Sequence, residues 1–376
     1  MMSDNNTRAF FALVKAGLWE QEVRLSQFGQ IDFDEVFRLA DEQSVVGLVT
    51  AGIEHVVDVK VPQEIVLQFI GSSLQLEQQN LAMNEYVAQL IEQLRKEDIY
   101  AILVKGQGIA QCYERPLWRA SGDVDLLLSE DNYQKAKALL LPQAEEVEQE
   151  YSTFKHLGMT MKGGFVVELH GALYSRLSKQ IDRGIDVLQN DVFCFGNVRS
   201  WMNGKTQVFL PAADNDAIFV FTHILHHFYV EGIGLRQFCD WCRLLWTYRD
   251  KIDRKDLRFR LETMGLMSEW QAFAALAVDW LGMPAEAMPL YSADKKWARK
   301  AERIIAYVLE CGNFGHNRQR SLPENFLGGK IVSVWRKMTD FGRHARVFPL
   351  DSVKFFFHFL GEGLQLASER YRLRLT

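Results

Sequence analysis

The sequence predicts an α+β fold in which a small mixed β-sheet lies between two α-helical regions. Three observations support this fold class: helical periodicity with little strand character over 1–97, short apolar runs separated by turn residues over 98–211, and helical periodicity through most of 212–376. We therefore expect an N-terminal helical region, a sheet-containing core and a C-terminal helical domain with these bounds.

The N-terminal region is predicted to contain several short helices followed by one long helix. Helical periodicity over 8–55 is interrupted near 29–32. Pro62 then precedes a helix over 65–94, where apolar residues recur on one face and Gln and Glu occupy the others.

The core begins at Asp98 with the apolar run 99–104, which is typical of a buried strand. Gly106 and Gly108 end this strand, and a short helix follows over 109–113. The later core elements are predicted as a strand over 124–128, a helix over 131–141, strands near 145–151 and 155–161, a hairpin turn at Gly163 and Gly164, a strand over 165–170, and strands near 192–198 and 206–210. From Ala213 the chain is predicted to be helical, with breaks near 232–234, 282–289 and 312–323.

The composition is that of a soluble globular protein. Of the 376 residues, 48% are hydrophobic and 24% are charged. A formal net charge of -5 offers no broad basic surface for a long nucleic acid. The apolar stretch over 217–230 has 14 residues and includes three histidines, which indicates a buried helix rather than a membrane span. The apolar segment near the start of the chain is too short, and the first residues are too acidic, for a signal peptide.

The cysteines and a group of histidines are interpreted as structural. The five cysteines are scattered, which favours a reducing, cytoplasmic location: Cys112, Cys194, Cys239, Cys242 and Cys311. Cys239 and Cys242 form a C-x-x-C in a helical stretch, with no second pair to complete a zinc site. His223, His226 and His227 have a spacing that suits a metal, but we expect no nearby acid to complete that site.

Two carboxylates in an apolar strand point to a function. Asp123 and Asp125 are separated by one residue, so both side chains leave the same face of the strand. They repel each other and are costly to desolvate unless a cation lies between them. Asp123 alone would suit a turn after Gly122, but Asp125 lies too far into the apolar run for that. The pair therefore predicts a site for magnesium and phosphate.

A third acid is expected on a later strand. Glu168 and His170 share one face of the strand over 165–170, opposite its apolar face. Three carboxylates on neighbouring strands form the oxygen-rich group that Mg²⁺ prefers. Two ions about 3.5 to 4 Å apart would activate an attacking hydroxyl and stabilise leaving pyrophosphate. The alternatives are a solvated acid on an edge strand for Glu168 and a structural histidine for His170.

The turn before the acid strand has the features of a phosphate contact. Gly106 and Gly108 allow backbone N–H groups to approach phosphate closely. Lys105 and Arg119 flank the turn and the acid strand, and each would offset phosphate charge. Alternatively, Lys105 is a surface lysine and Arg119 tethers the acidic loop.

These motifs resemble the DNA polymerase β-type nucleotidyltransferase superfamily, and more narrowly a bacterial family of uncharacterised nucleotidyltransferases with added helices. The residues that carry the likeness are Lys105, Gly106, Arg119, Asp123 to Leu127 and Glu168 to His170. The resemblance implies a nucleotidyltransferase core in which Asp123, Asp125 and Glu168 are catalytic and bind metal. It also implies that the nucleotide contacts Lys105, Gly106, Gln107, Arg119 and Ser121.

A weaker likeness extends to the helix that contains Arg236 and Asp240. These residues are four apart, so they lie on one helix face and can pair with each other. Both a structural ion pair and a role at the nucleotide remain open, as does a functional role for His170.

The implied reaction moves a nucleoside monophosphate from a nucleoside triphosphate, with ATP expected, to a hydroxyl of an unidentified small molecule or protein. One or two Mg²⁺ ions are expected, with Mn²⁺ able to substitute, and pyrophosphate is released. One alternative is a catalytically silent nucleotide-binding or antitoxin-like partner protein. A metal-dependent phosphohydrolase is a third possibility, disfavoured because no histidine-rich metal motif accompanies the acids.

Overall fold

A computed structural model of the protein describes residues 4–148, 150, 155–313, 317, 338–358 and 361. The described residues form a mixed seven-stranded β-sheet with helices before, between and after its strands. The predicted α+β fold is confirmed. Among the described residues, no helix has the length and apolar character needed to cross a membrane.

Helices account for most of the described chain. In order they are α1 (Asn5–Trp19), α2 (Phe33–Glu42), α3 (Val46–Glu54), α4 (Gln63–Lys96), α5 (Gly106–Ala110), α6 (Glu130–Leu140), α7 (Lys179–Phe195), α8 (Ala213–Val230), α9 (Leu235–Thr247), α10 (Arg254–Met264), α11 (Met267–Asp279) and α12 (Lys295–Cys311). Residues 338–345 and 349–358 are also helical.

The strands are β1 (Ala101–Val104), β2 (Asp123–Leu128), β3 (Ala144–Val147), β4 (His156–Met161), β5 (Val166–His170), β6 (Val198–Asn203) and β7 (Thr206–Pro211). Their order in the sheet is β3-β4-β5-β2-β1-β7-β6. The central strand β2 is antiparallel to β1 and parallel to β5, while β1 is parallel to β7. The acid strand β2 therefore lies in the middle of the sheet.

The two faces of the sheet pack against different helices. One face presents Val124, Leu126 and Leu128 of β2 to an apolar cluster that includes buried residues of α4 and α6. On the other face, Val104 and Leu127 join a larger core with α8 and α9. Strand β2 is apolar on both faces except near its N-terminal end, where Asp123 and Asp125 lie. These two carboxylates are therefore at the edge of the larger core, on the same face as Leu127.

The N-terminal and C-terminal helices share this larger core. The rings of Phe11 and Trp280 have centroids 5.1 Å apart, and Trp19 Nε1 donates to the carbonyl oxygen of Leu281 at 2.6 Å. These contacts join the two ends of the helical structure through one apolar interior. The division of the chain after residues 97 and 211 stays a prediction.

The predicted strand near 192–198 is wrong, because its first residues lie in the last turns of α7. Ser178 caps α7 by accepting a hydrogen bond from the backbone N–H of Ile181. The side chains of Ile181, Ile185, Leu188 and Val192 are buried at helical spacing, and the left-handed Gly196 ends the helix. Strand β6 begins only at Val198.

The other predicted elements differ mainly at their ends. The strand near 145–151 is found as β3, and Tyr151 lies outside the described residues. The break near 312–323 also lies mostly outside them. Cys239 and Cys242 are buried in α9, where burial raises the pKa of both thiols, as expected for structural cysteines.

Candidate active site

The sheet brings the three predicted acids together. In the parallel pairing of β2 and β5, Asp125 lies opposite Glu168, so their side chains share a face. One carboxylate oxygen from each of Asp123, Asp125 and Glu168 lies within 4.8 Å of the others. The alternation within β2 places Asp123 on the same face as Asp125. This convergence follows directly from strand register.

Lys105 and His170 offset the negative charge of Asp125. The ammonium nitrogen of Lys105 lies 2.8 Å from Asp125 Oδ1, and His170 Nε2 lies 2.9 Å from the same oxygen. The Asp125 side chain is only 2% exposed, so water screens these contacts little. Lys105 therefore points into the site rather than to the surface.

The backbone of Lys105 is strained. Its φ of 59° and ψ of -145° lie in a region that residues with a Cβ rarely adopt. Lys105 immediately precedes α5, and this conformation accompanies the sharp change from β1 into that helix. The strain occurs at the residue whose ammonium meets the acid cluster.

The pKa values of Asp123 and Glu168 are shifted in opposite directions. Repulsion from Asp125, together with burial, raises the pKa of Asp123. Burial acts in the same direction on Glu168, but hydrogen bonds from His156 and His170 outweigh it and hold the pKa of Glu168 below its usual range. Burial favours a neutral His170, yet its bonds to Asp125 and Glu168 raise the pKa of this imidazole. The site is a tightly coupled arrangement of acids and bases.

His156 is a site residue that the sequence analysis missed. Its Nε2 lies 3.2 Å from Glu168 Oε2, and its ring centroid lies 4.8 Å from that of His170. The antiparallel pairing of β4 with β5 places His156 opposite His170. The predicted hairpin turn at Gly163 could have indicated His156, because Gly163 is midway in the sequence between His156 and His170.

Arg119 and Asp240 form a buried ion pair beside the acids. Two guanidinium nitrogens of Arg119 donate to the two carboxylate oxygens of Asp240, at 2.8 and 2.7 Å. Tyr113 also donates to Asp240, at 2.7 Å, and Arg119 Nη1 donates to Ser121 Oγ at 3.0 Å. These contacts tether the loop before β2 to α9.

Arg236 reaches the same loop from α9. Its Nη1 donates to the carbonyl oxygen of Ala120 at 2.7 Å. Its positive charge also acts to lower the pKa of Asp123, against the larger raising effects of Asp125 and burial. Arg236 and Asp240 both therefore contact the segment that leads into the acid strand.

Gln107 makes its side-chain contact with α4. Its amide nitrogen donates to Asn80 Oδ1 at 2.9 Å. Asn80 in turn donates to the carbonyl oxygens of Leu117 and Arg119, each at 2.8 Å. Sequence reasoning missed Asn80, whose polar side chain is buried on the apolar face of α4. The Gln107 side chain braces the loop around the site, and contact with a nucleotide stays a prediction for it.

The two glycines allow close packing of the turn. Gly106 has a φ of +41°, and a Cβ there would lie 3.3 Å from the carbonyl oxygen of Asp123. A Cβ on Gly108 would lie 2.6 Å from Leu210 Cδ2. The turn therefore sits directly against β2 and β7, which holds Lys105 close to the acids.

A narrow cleft opens onto this site. Lys105, Gly106, Asp123 and Asp125 line one side of it, and residues of α8 and α9 line the other. His223 belongs to the second wall, and burial together with the charge of Lys105 lowers the pKa of its imidazole well below the usual value. A polar cleft of this kind between a sheet and helices is a common place for a ligand.

The expectation that no acid lies near the histidines of α8 is wrong. Glu231 follows the end of α8, and one ligand atom from each of His226, His227 and Glu231 lies within 4.8 Å of the others. His227 Nδ1 lies 3.0 Å from Glu231 Oε2. The spacing of four residues places both side chains on one helical face, which sequence alone could have indicated.

The carboxylate group fits divalent metal ions. Its donors are oxygens, which hard divalent cations prefer, and the mutual repulsion that raises the pKa of Asp123 is relieved by a cation. Two acids on a central strand after a glycine turn, with a third acid on the neighbouring parallel strand, match the arrangement that the resemblance to nucleotidyltransferases implied. Enzymes of this class transfer phosphorus-containing groups.

The chain belongs to a family described as uncharacterised nucleotidyltransferases, whose sequence pattern matches residues 29–282. This match confirms the predicted family and enzyme class, and it extends from the N-terminal helices through the sheet into α11. No curated protein and no solved structure matches the chain.

Proposed function

We propose that this protein transfers a nucleoside monophosphate from a nucleoside triphosphate, with ATP the first candidate, to a hydroxyl group of a small molecule or protein. The convergence of Asp123, Asp125 and Glu168 at the edge of a cleft is the observation that carries the proposal. A cytoplasmic location and the use of Mg²⁺, for which Mn²⁺ would substitute, are parts of the same proposal.

The reaction is an in-line displacement at the α-phosphorus. The acceptor oxygen forms a bond to this phosphorus, and the bond from phosphorus to the bridging oxygen of the leaving pyrophosphate breaks. Divalent ions held by the three carboxylates supply charge neutralisation at the phosphates and lower the pKa of a bound hydroxyl. The acceptor proton leaves to solvent or to a base on the acceptor side of the cleft.

The chain's own residues position this chemistry. Asp123 and Asp125 would hold metal on the triphosphate side, and Glu168 would hold metal on the acceptor side. Since its histidine partners hold the pKa of Glu168 low, this carboxylate is a weak proton acceptor and acts chiefly as a ligand. Lys105, 2.8 Å from Asp125, lies where its ammonium would contact a phosphate oxygen.

The proposal is tested by pyrophosphate release from each of the four nucleoside triphosphates with Mg²⁺ and a metabolite or lysate pool as acceptor. Asp123→Asn combined with Asp125→Asn should remove the release, whereas Asp131→Asn, an exposed acid in α6, should leave it unchanged. Release that survives the double substitution contradicts the assignment.

Two other outcomes identify the alternatives. Nucleotide binding by calorimetry without pyrophosphate release, under every acceptor tried, indicates a silent binding module. Formation of orthophosphate or a nucleoside monophosphate without any acceptor indicates a phosphohydrolase.

A further inference from the structure

Two imidazoles flank the third acid of the site. Ligand atoms of His156, Glu168 and His170 lie within 4.8 Å of one another. Glu168 Oε2 lies 3.2 Å from His156 Nε2 and 3.5 Å from His170 Nε2. The site therefore has a group of two nitrogens and a carboxylate beside its group of three carboxylates.

Strand pairing fixes the positions of this second group, as it does those of the three carboxylates. Strands β4, β5 and β2 are adjacent, with His156 opposite His170 and Glu168 opposite Asp125. All four side chains consequently leave the same face of the sheet. Since three neighbouring strands fix their positions, the group does not depend on a loop conformation.

The burial of the group suits a site with open coordination positions. The His170 side chain is 11% exposed and that of His156 is 36% exposed. Glu168, at 27%, lies between them in exposure. An ion held here would be supported from the sheet and would face solvent or a ligand on its other side.

The donor types distinguish this group from a magnesium site. Mg²⁺ strongly prefers oxygen ligands and keeps much of its water, whereas imidazole nitrogen suits first-row transition ions. We propose that His156, His170 and Glu168 bind a first-row transition ion, such as Co²⁺, Cu²⁺ or Zn²⁺, on the acceptor side of the site. The inference rests on the proposed function for the role of this ion, but the binding itself does not require turnover.

Asp125 links the two groups. Its Oδ1 lies 2.9 Å from His170 Nε2, and its carboxylate also belongs to the oxygen group. An ion at the histidine group therefore has an oxygen-rich neighbour site for a second, harder ion. The chain would then hold two ions of different chemical class, selected by the ligands that its three strands present.

The test uses the full chain after removal of metal with a chelator. Co²⁺ binding is followed by visible absorption, and bound Cu²⁺ is examined by pulsed electron paramagnetic resonance for coupling to ¹⁴N. We expect a nitrogen coupling in the unmodified protein. Loss of one imidazole, by His156→Gln or His170→Asn, should weaken Co²⁺ binding by at least about 10- to 100-fold, because that is the scale for loss of a residue that only supports a metal ligand.

A matched control is available in another histidine–glutamate pair. His55 Nε2 lies 2.6 Å from Glu20 Oε2, away from the acid cluster, so His55→Gln should leave Co²⁺ binding unchanged. Cu²⁺ bound without nitrogen coupling overturns the inference, as does Co²⁺ affinity equal in the unmodified protein and a folded histidine variant. If one variant fails to fold, the other supplies the comparison, because His226 and His227 are a second possible source of nitrogen coupling.

The two proposals fail separately. Nitrogen-coupled Cu²⁺ that depends on His156 and His170, without pyrophosphate release from any nucleotide, supports the histidine site and contradicts the proposed function. Pyrophosphate release that depends on Asp123 and Asp125, with Cu²⁺ in an all-oxygen environment, supports the function and contradicts the histidine site.

Discussion

Replacement of Asp240 by alanine is expected to destabilise the protein by about 3–5 kcal/mol, the cost of leaving a buried charge without its partner. The side chains of Arg119 and Asp240 are 5% and 6% exposed, so water cannot replace the lost carboxylate. The Asp240 carboxylate accepts two hydrogen bonds from the Arg119 guanidinium and one from the Tyr113 hydroxyl, at 2.7 to 2.8 Å. The stability of a typical native protein is about 5–15 kcal/mol, so this loss would be a large part of it.

Urea unfolding followed by circular dichroism measures the change as a shift in midpoint. The control is Glu262→Gln in α10, which removes the carboxylate partner of Arg258. The two side chains are 57% and 53% exposed, so the loss of this pair should change the free energy of unfolding by at most about 1 kcal/mol.

A double variant separates charge from packing. Arg119→Met with Asp240→Leu removes both charges together, so it should be less destabilising than Asp240→Ala alone. Two results would refute the reasoning. One is a free energy of unfolding for Asp240→Ala that lies within about 1 kcal/mol of that of the unmodified protein, and the other is a double variant less stable than Asp240→Ala.

Two substitutions in the glycine turn test its geometry. Lys105→Gly and Lys105→Ala both lose the ion pair with Asp125, but only glycine adopts the positive φ of this position without strain. The glycine variant should therefore have a free energy of unfolding about 1–3 kcal/mol higher than the alanine variant. Equal urea midpoints for the two variants would exclude strain at this residue. Gly108→Ala places a Cβ 2.6 Å from Leu210 Cδ2 and should cost about 1–3 kcal/mol by thermal or urea unfolding. A Cβ added at Gly122 has no neighbour within 4 Å, so Gly122→Ala should change the free energy of unfolding by no more than about 0.5 kcal/mol. A similar loss of stability in Gly108→Ala and Gly122→Ala would contradict the packing argument.

The acid cluster was predictable because it depends on short-range patterns. The spacing of Asp123 and Asp125 fixes their common face, and a polar Glu168 in a β-strand marks a second anomalous position. The sheet order then needs only to place β5 beside β2. His156 required one further step, since its position depends on the hairpin register around Gly163.

The supporting contacts were not predictable in the same way. Asp240 meets Arg119 across 121 residues of sequence, and Gln107 meets Asn80 across 27. Such partners depend on how helices pack on the sheet, which local periodicity does not determine. Helix α7 was missed because its last four residues, 192–195, form a short apolar run before Gly196, and periodicity alone does not distinguish such a run from a buried strand.

The position of Lys105 suggests how ion and nucleotide binding are connected. Lys105 Nζ and His170 Nε2 both lie within 3 Å of Asp125 Oδ1, so an ion that binds this oxygen competes with both groups. Burial disfavours the Lys105 ammonium unless a negative charge remains close to it. If the proposed function is correct, an ion takes the place of Lys105 on Asp125, and the oxygens of the triphosphate become the partners of its ammonium. Metal and nucleotide should then bind together more favourably than either binds alone, because each compensates a charge that the other leaves exposed.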